Sequence, residues 1–173
     1  MSNVINRATL QYLVSVNTPD YPVEQWIINP NLGALSNVDK RYWKIIGDEV
    51  LEMTAQEKAP IDAAQLVLDK ASKLHSLNAQ TRAHIEETYS PEEQTTILQI
   101  YTQAIAQGRT NRAAACVSIY NWVRGVLTYR YTTAASIRNA ASNAELLLIT
   151  WDVANNTGAV PTTTIPQLLA IAN

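Results

Sequence analysis

The sequence predicts a mainly α protein, in which an extended N-terminal arm and one β-hairpin lead into an antiparallel helical bundle. Three observations predict it. Apolar residues recur at three- and four-residue spacing through much of residues 55–154. Two helix starts carry complete capping signals, Thr54 with Glu57 and Ser90-Pro91-Glu92-Glu93. Pro19, Pro22, Pro30 and Gly33 instead punctuate the first forty residues, where no helical period is visible.

Residues 1–40 read as the arm. Leu10 to Val16 suits a short strand, stopped by Asn17-Thr18-Pro19-Asp20, and Trp26-Ile27-Ile28 is a second brief apolar run. Pro22 and Pro30 bias the residues before them toward extended geometry. Such a segment is expected to close no core of its own and to lie on the helices or on another subunit.

Residues 41–54 read as a hairpin. Gly47-Asp48 fits a two-residue primed turn, because Gly tolerates the positive φ and Asp tolerates it better than most residues. This register pairs Ile45 with Val50 and sets Trp43 opposite Glu52. The other face carries Tyr42, Ile46, Leu51 and Met53, interrupted by Lys44 and Glu49. Both faces are partly apolar, and a lone two-stranded hairpin is marginal in water, so neighbours are required on each side.

The helical domain is placed at 55–154. Its first helix starts at the Thr54–Glu57 capping box, contains Pro60, which is expected to kink its first turns, and continues through Ile61, Ala64, Leu68 and Ala71 to about Leu77. A short helix is expected over 79–88. The helix opened by Ser90 carries the stripe Ile97, Ile100, Tyr101, Ala104 and Ile105 and stops at Gly108. Thr110 or Asn111 then opens the longest expected helix, with Cys116, Ile119, Tyr120, Val123 and Leu127 as its stripe. The short Gly108 connection makes the pair antiparallel. A smaller helical piece is expected from about Ser142 to Val153. The tail, 155–173, ends in Leu168-Leu169-Ala170-Ile171, read as one docked turn.

Length and composition suit a folded chain: 173 residues, 47% hydrophobic and 16% charged, with net charge −2. No general attraction to nucleic acid follows. Charge is unevenly placed, however. Every acid except Glu145 and Asp152 lies at or before Glu93, and residues 94–144 hold five arginines with no Asp, Glu or Lys. The N-terminus lacks the basic start and apolar run of a signal peptide, and no stretch approaches the roughly 18 apolar residues that span a bilayer. The sequence therefore predicts a chain kept in solution, with no membrane partner.

Few residues carry recognisable chemistry. Cys116 is the single cysteine, and His75 and His84 stand at no common zinc spacing. Glu86-Glu87 and Glu92-Glu93 are adjacent on helices, so their carboxylates diverge. No nucleotide-binding loop, nucleophile elbow or zinc-protease motif is present. No catalytic residue, metal or cofactor is expected. The candidate sites are interaction sites: Trp26, Tyr42 and Trp43 as aromatic anchors for a partner's pocket, and Arg124 and Arg130. The two arginines lie among Tyr120, Trp122, Tyr129 and Tyr131, a mixture that suits nucleic acid. Projected on a helix, however, they edge the stripe of Tyr120, Val123 and Leu127, which suits docking on acidic residues from the first half of the chain or from a neighbour.

Residues 41–64, RYWKIIGDEVLEMTAQEKAPIDAA, resemble a hairpin–helix module of tailed-bacteriophage virion proteins, especially tail-fibre and baseplate-associated subunits, of the form YW-x-I-x-GD-x-V-x-EMT followed by AEK-x-x-(I/V)DAA. Looser similarity extends through SVNTPDYP, GRTNR and EL-x-x-I-x-WD. Pro60 and Ile61 depart from the usual helix start. The resemblance implies assembly and attachment within a virion, other virion proteins as partners and a homo-oligomer. It carries over no functional residue. The chain is too short for a fibre shaft with a receptor-binding tip, so a fibre adaptor, a fibre-base protein or a small decoration subunit is implied.

Overall fold

The computed structural model, which describes residues 2–172, is mainly helical. The chain forms two compact units that part between Gln65 and Leu66.

The first unit begins with a three-stranded antiparallel sheet. Strands β1 (Ser2–Asn6), β2 (Tyr12–Val16) and β3 (Trp26–Ile28) lie in the order β2-β1-β3. Residues 1–40 are therefore not a bare arm, and they contribute to a core of their own unit. Two asparagines make this fold. The Asn6 side-chain oxygen accepts from the N–H groups of Ala8 and Thr9, turning β1 into β2. Asn29, at φ +49°, accepts from the Asn3 N–H and ends β3. An irregularity between β1 and β2, where Ser15 sits at φ +57°, adds one residue to β2.

The hairpin follows as β4 (Trp43–Ile46) and β5 (Glu49–Glu52), in the register expected: Ile45 opposite Val50 and Trp43 opposite Glu52. Gly47 takes φ +60°, as the first central residue of a type II′ turn does. Trp43 and Val50 are buried with Ile5, Ile27 and Leu35 in one cluster, and Ile45 packs at its edge. The opposite face leaves Ile46 58% exposed. The sheet thus supplies the neighbour that one hairpin face needs. Arg7 fastens the turn, donating from Nε to the Val23 carbonyl (3.0 Å) and from a terminal nitrogen to the Gly47 carbonyl (2.6 Å), and pairing with Asp48.

Helix α1 (Ala55–Thr88) is continuous, where two helices were expected over 55–77 and 79–88. No glycine or proline interrupts residues 77–79, and Leu77, Thr81 and Ile85 form one buried i, i+4, i+8 row. At 34 residues it also exceeds α3, the helix expected to be longest. Helix α2 (Pro91–Ala106) starts at the full Ser90–Glu93 capping box. It ends in a Schellman motif: Arg109 N–H donates to the Ala104 carbonyl (2.8 Å), Gly108 N–H to that of Ile105 (3.1 Å), and Gly108 lies at φ +67°. A Cβ at Gly108 would meet no neighbour. Gly108→Ala is therefore expected to lower stability by about 1 kcal/mol through backbone strain alone, read as a shift in the urea midpoint.

Helix α3 (Thr110–Asn139) runs through Thr132 and Thr133 without a break. The Thr133 hydroxyl donates to the Tyr129 carbonyl (2.9 Å), so this polar side chain stays satisfied inside the helix. The buried side of α3 is Cys116, Ile119, Trp122 and Val126, then Ala134 and Ile137, whereas Leu127 is 38% exposed. The expected stripe was thus rotated toward the rim. The piece expected at 142–153 is two short helices, α4 (Asn143–Leu148), capped by Ser142, and α5 (Val153–Asn156). The tail carries α6 (Ile165–Ala170), docked through the fully buried Leu168. Two clusters fill this second unit. One joins Ile85, Ile97, Ile100, Ile119, Trp122 and Leu168; the other joins Leu77, Ala134, Ile137 and Leu146.

Candidate functional site

The hairpin–helix junction is built from polar contacts that a sequence pattern can hold. Thr54 N–H donates to a Glu57 carboxylate oxygen (2.7 Å), and Glu57 N–H donates back to the Thr54 hydroxyl (3.3 Å). Lys44 on β4 pairs with the same carboxylate (2.6 Å), and Lys58 pairs with Glu52 on β5. Hydrogen bonding from Lys44, then from Thr54, holds the Glu57 carboxyl down to about 2. A depressed carboxylate stabilises the fold above its unfolded value near 4.5, and that contribution vanishes as pH falls through about 2. Thermal melts between pH 5 and 2 are therefore expected to fall more steeply for the parent than for Glu57→Gln. The difference should be small, because the pair is open to solvent.

Tyr42 and Trp43, the expected anchors, have internal duties. The Tyr42 hydroxyl donates to Asp62, which raises its phenol above the usual value, and its ring lies beneath Arg41 (4.6 Å) and Lys58 (5.0 Å). Trp43 is 6% exposed, and its indole N–H donates to the Val38 carbonyl (3.0 Å). It is a core residue of the first unit. Trp26 is half-buried and meets Tyr21 edge-on at 5.0 Å. It lines an open cleft of about 390 Å³ beside β3, with Arg7, Glu24, Asn31 and Asp48.

Within the chain, Arg112 and Arg130 bind carbonyl and amide oxygens. Five ion pairs lie between Arg7 and Glu86 in sequence. Arg112 donates to the Leu169 (2.6 Å) and Ile171 (3.0 Å) carbonyls, which places a cation at the C-terminus of α6. Arg130 donates from Nε to the Asn78 side-chain oxygen (3.0 Å) and lies 4.9 Å from the Tyr131 ring. Arg124 is exposed. The aromatic residues around them are largely committed: Trp122 is buried, and Tyr129 stacks on Trp151 at 4.9 Å while its hydroxyl accepts from Asp152 N–H. Tyr131 alone of that set is widely exposed.

The structure shows one feature that sequence reading missed, a groove along α3. Its upper hollow, about 50 Å³, lies at Gln94, Ile97, Tyr120 and Val123. Its lower hollow, about 300 Å³, lies at Asn78, Arg82, Ile85, Leu127 and Arg130. Gln94 lines both and is held by a 2.8 Å bond from its amide to the Tyr89 carbonyl. Tyr120, Val123, Leu127 and Arg130 recur at i, i+3, i+7 and i+10, but only the tertiary fold brings α1 and α2 to their side.

Four other reactive groups are buried or committed. Burial pushes the Cys116 thiol up, His84 packs on Trp122 at 5.5 Å, Glu93 caps α2 and Glu86 pairs with Arg82 (2.7 Å). Among the described residues no three His, Cys, Asp or Glu side chains gather as a metal would require, and no helix is long and apolar enough to cross a membrane. Comparison with family models, with curated proteins and with solved structures returns no match.

Proposed function

We propose that this chain is a structural subunit of a tailed-bacteriophage particle, a tail-fibre, fibre-adaptor or baseplate-associated protein that acts by docking on other virion proteins. One observation carries the reading. The residues through which segment 41–64 resembles the virion module fix the hairpin to its neighbours on both sides: Trp43 and Val50 in the core shared with the sheet, Gly47-Asp48 at the turn held by Arg7, and Thr54 and Glu57 at the cap of α1. A pattern spent on such contacts specifies a mount for other surfaces, which is what an assembly subunit requires.

Mass spectrometry of purified particles, with electron microscopy of particles carrying an epitope-tagged copy, tests this. The chain is expected in the particle, with the label on the tail or its base. A label on the head would favour a decoration, head-fibre or neck protein instead. Absence from purified particles would sink the virion reading. A solution mass measurement tests the accompanying proposal of a homo-oligomer.

A further inference from the structure

We propose that the groove along α3, from Tyr120 to Arg130, is a docking site for an acidic amphipathic helix of a partner protein. The inference deepens the docking reading by naming the partner's chemistry, and it uses only the surface of the second unit.

The groove has an apolar floor and a cationic edge along α3. Val123, Leu127 and Ile85 line its two hollows. Arg130 closes one end, and Arg124, outside the two hollows, stands exposed one residue beyond Val123 on α3. The one acid lining the groove, Glu86, is already paired with Arg82, and α3 itself carries no carboxylate. The ten-residue span of the lining corresponds to about 15 Å at helical rise, the length of two to three turns of a guest helix. Leucine-like side chains at i, i+3 or i+4 and i+7 would fill the hollows in the manner of helix-in-groove recognition. Asp or Glu on the guest's flanks would meet guanidinium groups, which favour carboxylates over other partners.

Charge also selects against the other occupants. A second copy seated by two-fold symmetry on the same face would oppose arginine to arginine. A nucleic-acid strand would need a row of stacking platforms, and with Trp122 and Tyr129 committed internally only Tyr120 and Tyr131 of that set remain.

The test is fluorescence anisotropy of the full chain with three labelled peptides: an acidic amphipathic helix of Leu and Glu, its Leu/Lys counterpart, and the acidic composition scrambled. The acidic helix is expected to bind at least about tenfold more tightly than either control, and binding should weaken as salt rises. Leu127→Glu and Arg124→Glu, both at exposed positions and checked for unchanged circular dichroism and melting, should each weaken it about tenfold. Arg124→Lys should retain most of it. Equal binding of all three peptides, no binding of the acidic helix, or indifference to both substitutions would overturn the proposal. So would tighter binding of a single-stranded oligothymidylate, which would make the groove a nucleic-acid site. Self-association abolished by Leu127→Glu would overturn it in favour of a second copy. Particle incorporation is measured separately, so a failed groove leaves the virion reading intact, and a chain absent from particles leaves the groove result standing.

Discussion

Trp43→Ala is expected to unfold residues 2–65 while the helical unit beyond Leu66 keeps its structure. The indole is 6% exposed and packs in the same cluster as Ile5, Ile27, Leu35 and Val50, where β1, β3 and the hairpin meet. Truncating a buried tryptophan costs about 3–5 kcal/mol through lost transfer free energy and the cavity left behind. A folded unit of this size is worth only roughly 3–10 kcal/mol in all, so the loss matches the smaller end of its stability. The lost indole N–H bond to Val38 adds to the effect, because the carbonyl is left without its donor. Amide spectra recorded with and without the substitution provide the measurement. Resonances of the sheet and hairpin should collapse while those of α2 and α3 persist. A variant that keeps every resonance and loses only partner binding would return Trp43 to the role of external anchor.

Trp43 also shows where sequence reading stops. The Gly47-Asp48 turn set the hairpin register, and the register put Trp43, Ile45 and Val50 on one face. Which of two partly apolar faces is covered depends on a second sheet, and that sheet was hidden. Its turns rest on the Asn6 and Asn29 side chains and on positive φ at Leu10, Ser15 and Asn29, none of which resembles a standard hairpin signal. Capping boxes and the Gly108 terminus were legible because each is closed within a few residues. The stripe on α3 was only half legible, since that helix serves two clusters and its buried side must suit both. The partners of Arg112 and Arg130 are groups more than fifty residues away. No spacing rule reaches that far, and the groove that Arg130 helps to build was invisible for the same reason.

Leu168→Ala should be among the most damaging substitutions in the helical unit, lowering stability by about 2–5 kcal/mol. Six residues are far too few to hold a helix in water, so α6 exists because it is docked. Its local chemistry prepares the dock: Thr164 and Gln167 form a capping box, and the Tyr89 hydroxyl donates to the Thr163 carbonyl (2.9 Å). The anchor is Leu168, fully buried against the cluster of Ile97, Ile100, Ile119 and Trp122. Arg112 then binds the carbonyls at the other end. Urea midpoints of three variants separate these contributions. Leu168→Ala should move the midpoint most. Arg112→Met should cost less, since Leu169, one of the residues it serves, is exposed and its carbonyl can turn to water. Leu169→Ala, at a half-exposed site, should change stability by no more than about 0.5 kcal/mol. A midpoint for Leu168→Ala equal to that of Leu169→Ala would mean that the tail rests on the unit without belonging to its core.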